Sequence, residues 1–519
     1  MHGTAPRSQK EVELKLELPP ASLPALKRVP LLRSFKTPLR PTTEVSVYFD
    51  TEKHKLRRKG LMLRVRRIGD RRVQTIKAGN SAFERGEWEA EIASDKPDLD
   101  LASGSPLEPL VNEKLSRQLK PLFETRVRRT VCPIADETRA IALSVDRGTI
   151  HTDSRSAPLC EIELELEHGS PAELFEVARD LTHNITARLA VKSKSERGYE
   201  LIDGAQDAPV KAAPITLSAS ASTRGAFQTI SRACLKQVVG NEPALLKGDP
   251  EGVHQMRVGL RRLRAAVSLF KALLRDPQTH AIKAELKWLT GELGPARELD
   301  VLVKRVVAPM QKQHARWDGM PSLSHALAEK REAALSRAQE AVKSARFRSF
   351  TLDLAAWLEA GDWTSPQDDL VRDLGELPIE VSAAEQLTRR WRKVRKKGKT
   401  LAKLDARRRH KLRIQSKKLR YAVEFFADVF AGKRAAKPRK RLLAALERLQ
   451  DGLGDLNDIA VHEERIAAIG IWRPHPSPKR AFAAGVLTGR EDGRIDAAMS
   501  EATRAHADLA RVKPFWRDL

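Results

Sequence analysis

Glutamates stand at alternate positions in Glu11-Val12-Glu13-Leu14-Lys15 and again in Glu161-Ile162-Glu163-Leu164-Glu165. Arg64 and Arg66 flank Val65, Arg126 and Arg128 flank Val127, and Glu87, Glu89 and Glu91 alternate with Trp88 and Ala90. Gln74-Thr75-Ile76-Lys77 shares the habit. Side chains two residues apart lie on one face of a β-strand, so these six stretches predict strands with one polar, mostly charged face. A barrel can turn such a face into its lumen and set the apolar face outward against helices. Carboxylates and Arg/Lys in one lumen suit a polyphosphate bound through a divalent cation: the cations hold phosphate oxygens and the carboxylates hold the metal. A single strand of this kind is ordinarily a solvated face, with ion pairs worth a few tenths of a kcal/mol. Six with the same habit, some acidic and some basic, favour a site.

A second constellation lies further along. His254-Gln-Met-Arg257-Val-Gly-Leu-Arg261-Arg262-Leu-Arg264 recurs as His410-Lys-Leu-Arg413-Ile-Gln-Ser-Lys417-Lys418-Leu-Arg420, with cations at offsets +3, +7, +8 and +10 from each histidine. Leu289, Leu293, Gly294, Arg297 and Glu298 are echoed by Leu449, Leu453, Gly454, Asn457 and Asp458, with His-to-Gly gaps of 40 and 44 residues. Offsets 0, 3, 7 and 10 share one face of a helix. His254, Arg257, Arg261 and Arg264 therefore form a cationic stripe, and His410, Arg413, Lys417 and Arg420 form its repeat. Like charges at these spacings repel, so an unrelieved row asks for a counter-anion. A solvated basic face is the plainer reading; repetition of the same offsets argues against it. The Arg389–Lys399 run adds cations whose role could equally be solubility.

The elements that carry these residues follow from period and composition. The chain has 519 residues, too many for one comfortable core, and a net charge of +26 with a pI near 10.1. Residues 1–200 hold 35 Lys+Arg against 30 Asp+Glu, leaving 59 against 38 for the remainder. The excess basicity thus belongs to the second part, which points to an anionic partner. Gly204 to Leu217, with Pro209 and Pro214, reads as a linker. Beyond it Ala, Leu, Arg, Lys and Glu dominate, and apolar residues recur at helical spacing, as in Val258, Leu260, Leu263, Ala266, Val267 and Phe270. The expected fold is α+β and multidomain: a strand-rich unit over 8–203, the linker 204–217 and an all-helical unit over 218–510 with copies near 218–375 and 376–510.

Cys132, Cys160 and Cys234 are too few and too scattered for a disulfide framework or a CxxC metal site. The N-terminal residues lack the apolar run of a signal peptide, and no stretch approaches the roughly 18 apolar residues of a membrane span. An intracellular, cytoplasmic protein is expected, with polyphosphate granules as one place to find it. No P-loop and no G-x-G-x-x-G fingerprint is present. Aromatics make up only 5% of the chain, and the basic helices lack the interleaved rings that stack bases, which argues against a nucleic-acid partner.

The ordered set Glu11-x-Glu13-x-Lys15, Tyr48-Phe49-Asp50-Thr51, Gly60-Leu61-Met62-Leu63-Arg64-Val65-Arg66, Arg85-x-Glu87-Trp88-Glu89, Asp146-Arg147-Gly148, Glu161-x-Glu163-x-Glu165 and Ser193-Lys194-Ser195-Glu196-Arg197-Gly198 resembles the CYTH superfamily, the triphosphate tunnel metalloenzymes. That resemblance implies a closed, eight-stranded antiparallel tunnel. It also implies Mg²⁺ or Mn²⁺ held by Glu11, Glu13, Asp146, Glu161, Glu163 and Glu165. Lys15, Arg64, Arg66, Lys77, Arg126, Arg128 and Lys194 would grip phosphates, Lys15 would also take part in catalysis, and Glu163 or Glu165 would activate water. The duplicated helices are similar to the CHAD family, the conserved-histidine α-helical domain, which implies two pseudo-symmetric helical bundles binding polyphosphate through His254, Arg257, Arg261, Arg262, Arg264, His410, Arg413, Lys417, Lys418 and Arg420.

The function expected from both is metal-dependent hydrolysis of inorganic triphosphate or short polyphosphate, beside a polyphosphate-binding helical domain. The alternatives are a non-catalytic polyphosphate adaptor, or a tunnel enzyme acting on an organic triphosphate, as thiamine triphosphatase or adenylate cyclase.

Overall fold

The computed structural model describes residues 7–26, 28–33, 40–79, 83–313, 319–470 and 477–516; the side chains of 7–11, 31, 33, 84, 85 and 433 fall outside that description. The chain forms two compact units. The first runs to Val210 and also takes in residues 235–243 and 344–361; the second holds the remaining helical stretches.

All six stretches picked out by alternation are strands of the first unit. They lie in β1 (Arg7–Glu17), β3 (Leu61–Ile68), β4 (Arg71–Ala78), β5 (Glu84–Glu91), β6 (Lys120–Ala135) and β8 (Ser156–His168). Alternation did not single out β2 (Thr42–Asp50), β7 (Ala140–His151) or the short β9 (Arg188–Ala190), because their lumen-facing positions carry few charges. Antiparallel pairing runs β5-β4-β3-β2-β6-β7-β8-β1, and β1 pairs back onto β5, so eight strands close into a tunnel. The ninth, β9, pairs with Lys15–Glu17 of β1. Alternation does the sorting: Leu61, Leu63 and Val65 of β3 pack outward with Phe49, Leu56, Ile76, Leu107 and Leu115, while Met62, Arg64 and Arg66 line the interior.

One end of the lumen is apolar. Tyr48, Phe123, Val127, Ile150 and Leu159 pack there against Tyr199 and Leu201 of the helix Lys194–Asp203. Ser193 and Glu196 start that helix with a full capping box. A Cβ at Gly198 would meet the Phe123 ring at 2.1 Å, so only glycine lets the helix in this close. A Cβ at Gly148 would lie 1.9 Å from the Arg126 carbonyl oxygen, which gives the Asp146-Arg147-Gly148 motif a packing role as well. Asp50 is fully buried; it accepts from the backbone N–H groups of Thr51, Leu56 and Arg57 and from the Tyr199 hydroxyl at 2.7–3.0 Å. The Tyr48–Thr51 motif therefore ties a turn to the helix at this end.

The second unit is helical, and its repeat is structural as well as sequential. Pro250–Leu269 and Ala406–Phe425 are helices of 20 residues each. Asp249 and Asp405 cap their N-termini, and each histidine is the fifth helical residue. Phe270 and Phe426 end them, with ring centroids 6.1 Å apart, and the two helices pack against each other. The following motif has diverged. In the first copy the chain breaks between Pro277–Glu292 and Gly294–Leu302; in the second, Leu449 to Asp458 lie inside one long helix, Lys433–Gly470. Among the described residues no helix is long and apolar enough to cross a membrane.

Candidate functional site

The interior of the tunnel holds a cavity of about 240 Å³. Its walls follow from strand register. Lys15 faces Glu163 across β1 and β8, Asp146 faces Glu161 and Ser144 faces Glu163 across β7 and β8, and Arg129 faces Asp146 across β6 and β7. These positions bring four strands' charges to one wall. Lys194, the first residue of the capped helix, points into the same wall; its Nζ lies 2.5 Å from Glu161, 2.8 Å from Asp146 and 2.9 Å from Glu163. Arg129 donates to both Asp146 oxygens at 2.8 and 2.6 Å and to Glu163 at 2.5 Å. Lys15 reaches Glu13 at 2.5 Å and Glu163 at 3.0 Å.

The opposite wall is built from β3, β4 and β5. Arg66 pairs with Glu89 at 3.0 Å and Glu44 at 3.6 Å, Lys77 pairs with Glu87 at 3.1 Å, and Arg64 stands 3.9 Å from Glu87. The Nε–H groups of Arg64 and Arg66 are buried with no acceptor. A buried donor without a partner is costly, and two such guanidinium groups side by side on the cavity wall present positive charge to an anion. Arg64, followed by burial, holds Arg66 below the usual guanidinium range.

Burial pushes the carboxyls of Asp146, Glu161 and Glu163 upward, and the cations beside them decide which stay ionised. Glu163 is held well below the usual carboxylate range because Lys15, Lys194 and Arg129 outweigh its burial. Asp146 is lowered against burial by Lys194 and Arg129. Glu161 is raised by burial, Lys194 notwithstanding, with the charge of Glu163 adding to the effect. Reciprocally, Lys194 is raised well above the lysine range by Glu161, Glu163 and Asp146, against its own burial.

Oxygens of Asp146, Glu161 and Glu163 all lie within 4.8 Å of one another, a donor set that could hold a hard divalent ion. Asp146 and Glu161 are fully buried behind the cavity and neutralised by Lys194 and Arg129, whereas Glu13, Glu163 and Glu165 line it. Glu163 belongs to both groups. The expected ligand Glu11 has its backbone opposite Arg85 in β1, but its side chain lies outside the described residues.

Two expected phosphate grips need correction. Arg126 is 64% exposed and pairs with Glu124, and Arg128 is exposed as well; neither lines the cavity. Arg129, 17% exposed, takes the inward place. In Arg126-Val127-Arg128-Arg129 one arginine of the last two must face each way, and the alternation 126/128 names the wrong face by one residue. The signal that could have found it is the doublet itself. Sequence reasoning also missed Glu44 and, at the cavity wall, Arg57 and Lys236.

In the second unit the predicted cations separate into groups. Arg257 donates to the Thr290 carbonyl at 3.0 Å and lies against Gly294, where a Cβ would sit 3.4 Å from its Nη1. Arg413 occupies the equivalent place against Gly454 and lies 3.9 Å from Asp458. His410 Nδ1 meets Asn457 Oδ1 at 2.8 Å. Burial, then Arg297, pushes His254 down to about 4, so it is neutral. Burial, then neighbouring cations, lowers Arg257 to about 10 and Lys417 to about 7. The charges of Arg261 and Arg413 both act on Lys417, so the two stripes converge. Arg261 and Arg413 each bury an Nε–H without an acceptor, whereas Arg420 Nε stands 3.5 Å from Glu424.

Offset +8 departs from the stripe in both copies. Arg262 is buried over the Phe425 ring, 5.5 Å from its centroid, and Lys418 donates to Ser268 Oγ at 3.1 Å. Arg264 is exposed, and its charge acts on Lys418 together with those of Arg390 and Lys393.

Residues 9–199 match the CYTH domain family and residues 229–467 match the CHAD domain family. The chain is a CYTH domain followed by a CHAD domain. An inorganic triphosphatase of Haemophilus influenzae is 28% identical over 162 residues, 30% of this chain and 45% of that protein, so the chain spans less than half the length of this relative. The crystal structure of the CHAD domain from the plant Ricinus communis is similar at a TM-score of 0.50 and 27% identity, covering 59% of this chain and 97% of that one. PptA from Streptomyces chartreusis, 19% identical, covers 55% of this chain and 99% of its own at a TM-score of 0.38. The CYTH portion is thus a triphosphate tunnel domain with an acidic cluster in its wall, and the CHAD portion is the duplicated helical unit.

Proposed function

We propose that the CYTH tunnel hydrolyses inorganic triphosphate and short polyphosphate with the aid of Mg²⁺ or Mn²⁺, and that the CHAD domain binds polyphosphate. The observation that carries the first part is the pair of buried, unanswered Nε–H donors on Arg64 and Arg66 opposite an ionised Glu163. The relative from Haemophilus influenzae supports the same substrate class.

Arg64, Arg66 and Lys77 on one wall, with Lys15, Arg129 and Lys194 on the other, would hold the phosphate oxygens and keep the chain in line for displacement. Glu13, Glu163 and Glu165 face the cavity and would hold a divalent ion; when bound, it neutralises charge that builds on the transferring phosphoryl group. Glu163, kept ionised by three cations, or Glu165 accepts the proton of the attacking water. Tyr48 is stacked on Phe123 and Arg57 lies over the Tyr199 ring, 4.6 Å from its centroid, so one face of each ring is already covered against a base or a thiazole. That favours an inorganic substrate over an organic triphosphate.

In the CHAD domain, the acceptor-free Nε–H donors of Arg261 and Arg413 and the depressed affinity of Lys417 for its proton support a polyanion site. Phosphate release from tripolyphosphate, long polyphosphate, ATP and thiamine triphosphate, with Mg²⁺, with Mn²⁺ and with chelator, tests the reading. Tripolyphosphate should turn over fastest and chelator should abolish turnover. Equal rates on ATP, or chelator-resistant hydrolysis, would sink it.

A further inference from the structure

Lys236 differs from the other cations of the tunnel cavity in origin. Those others come from residues 15–194, whereas Lys236 lies on the helix Thr223–Gly240, beyond the linker and inside the stretch that matches the CHAD family. Its place in the first unit is held from the next turn of chain. Asn241, fully buried, accepts from Val210 N at 2.9 Å and donates to Val210 O at 2.8 Å and to Gln237 O at 2.7 Å. Arg188 of β9 donates to the buried Glu242 at 3.2 Å and pairs with Glu17 of β1 at 3.3 Å. These ties fasten residues 235–243 to the tunnel wall, and Lys236 is carried with them.

Lys236 Nζ pairs with Glu196 Oε1. The other oxygen, Oε2, accepts from Ser193 N at 2.9 Å and Ser193 Oγ at 3.1 Å, which completes the helix cap. Ser193, Lys194, Ser195, Glu196 and Lys236 all line the cavity. At 27% and 39% exposure the Lys236–Glu196 pair is wet and therefore weak, so an incoming phosphate can take the ammonium from Glu196. An ammonium with three donors favours an unesterified terminal phosphate over an esterified one, which carries less charge and a bulky group.

We propose that Lys236 binds, in the tunnel, the terminal phosphate of an inorganic triphosphate at the position that ATP would fill with its esterified α-phosphate, so that the CHAD-family segment contributes a specificity-determining residue to the CYTH site. This rests on the triphosphatase reading above. The test uses the full chain as wild type, Lys236→Met, Lys236→Arg and Glu196→Gln. Binding of tripolyphosphate and of ATP is measured by calorimetry with and without Mg²⁺, and steady-state kinetics and Tm are recorded beside it. Lys236→Met should weaken tripolyphosphate binding and raise its KM about tenfold, with kcat within about twofold and ATP binding unmoved; Lys236→Arg should restore most of the loss. Glu196→Gln keeps the helix cap, where glutamine also serves, and removes the competitor, so tripolyphosphate binding should tighten about threefold. A purely structural tie would lower Tm in both variants and leave the tripolyphosphate-to-ATP ratio unchanged, which overturns the proposal. Should Lys236→Met fail to fold, unchanged or weaker tripolyphosphate binding by Glu196→Gln overturns it alone. Wild-type protein that binds no tripolyphosphate sinks the triphosphatase reading and this inference together; wild-type binding that Lys236→Met leaves intact sinks only this one.

Discussion

The tunnel and the duplicated helices both gather rows of cations whose burial favours losing the proton, yet their neighbours shift them in opposite directions. In the tunnel, Lys194 has three carboxylates within 3 Å and Arg129 has two, and both hold their protons more tightly than usual. In the helical unit, burial, Arg413 and Arg261 outweigh the one carboxylate that acts on Lys417, Asp458, and drive it down to about 7. The first site is nearly neutral, which in the function proposed above would suit a compact anion that brings a metal with it. The second has few carboxylates, Asp458 and Glu424 beside Arg413 and Arg420, and its excess positive charge would be relieved by the proposed polyanion. In the proposed function a mixed-charge strand face and a like-charge helix face would serve one class of ligand in two ways.

The comparison breaks first at Glu163. Glu163→Gln should lower kcat for tripolyphosphate by about 10³-fold or more, since it removes a cavity carboxylate and leaves Lys15, Lys194 and Arg129 under-compensated. Phosphate release at saturating substrate measures it, with Tm confirming that the variant folds. Near-parental kcat would remove Glu163 from the mechanism.

The register correction gives the next largest contrast. Arg129→Ala should cost about 3 kcal/mol in kcat/KM, roughly 100-fold, on the scale of a buried charge-assisted hydrogen bond. Arg126→Ala and Arg128→Ala should leave kcat/KM within about twofold, because both side chains are outside the tunnel. The reverse pattern would show that β6 is out of register.

On the helical side, Arg261→Ala with Arg413→Ala, placed in the Glu163→Gln background to stop hydrolysis, should weaken long-chain polyphosphate binding about 10- to 50-fold. The slope of log affinity against log salt should flatten by about two charges. Titration at several salt concentrations reads both, with single-stranded DNA at matched charge as the control. Equal losses for DNA would reduce the site to a generic basic surface.

The smallest effect sharpens the contrast in pH. Lys417 in the folded protein releases its proton near 7, well below a free lysine, so folding stability rises with pH between about 7 and the ordinary lysine value near 10.4. A polyanion restores the charge, so polyphosphate binding at pH 8 should take up protons and weaken about threefold relative to pH 6.5. Lys417→Met should flatten that dependence. Calorimetry in buffers of different ionisation enthalpy detects the proton uptake, and its absence would place Lys417 outside the ligand's reach.

Much of this was legible before any coordinates. Alternation located six of the nine strands, and the repeated histidine-to-cation offsets located both basic helices, because a strand repeats every two residues and a helix every 3.6 whatever their surroundings. Those periods place residues on a shared face. They do not say which way the face turns when two adjacent residues are both arginine, and only the pairing of β6 with β7 chose Arg129 over Arg128. Nor do they distinguish the +8 cations: tertiary packing slid Arg262 over Phe425 and gave Lys418 to Ser268. Which carboxylates stay ionised was likewise settled by three cations from separate elements converging on Glu163. Lys236 had no sequence signal at all, since its place at the cavity depends on Asn241 tying its helix to Val210 and on Glu242 meeting Arg188 of β9, about 50 residues away, which in turn pairs with Glu17 of β1. Local spacing is a property of the chain; the identity of a residue's neighbours across the fold is a property of closure and packing, and the chemistry of both sites is written at that second level.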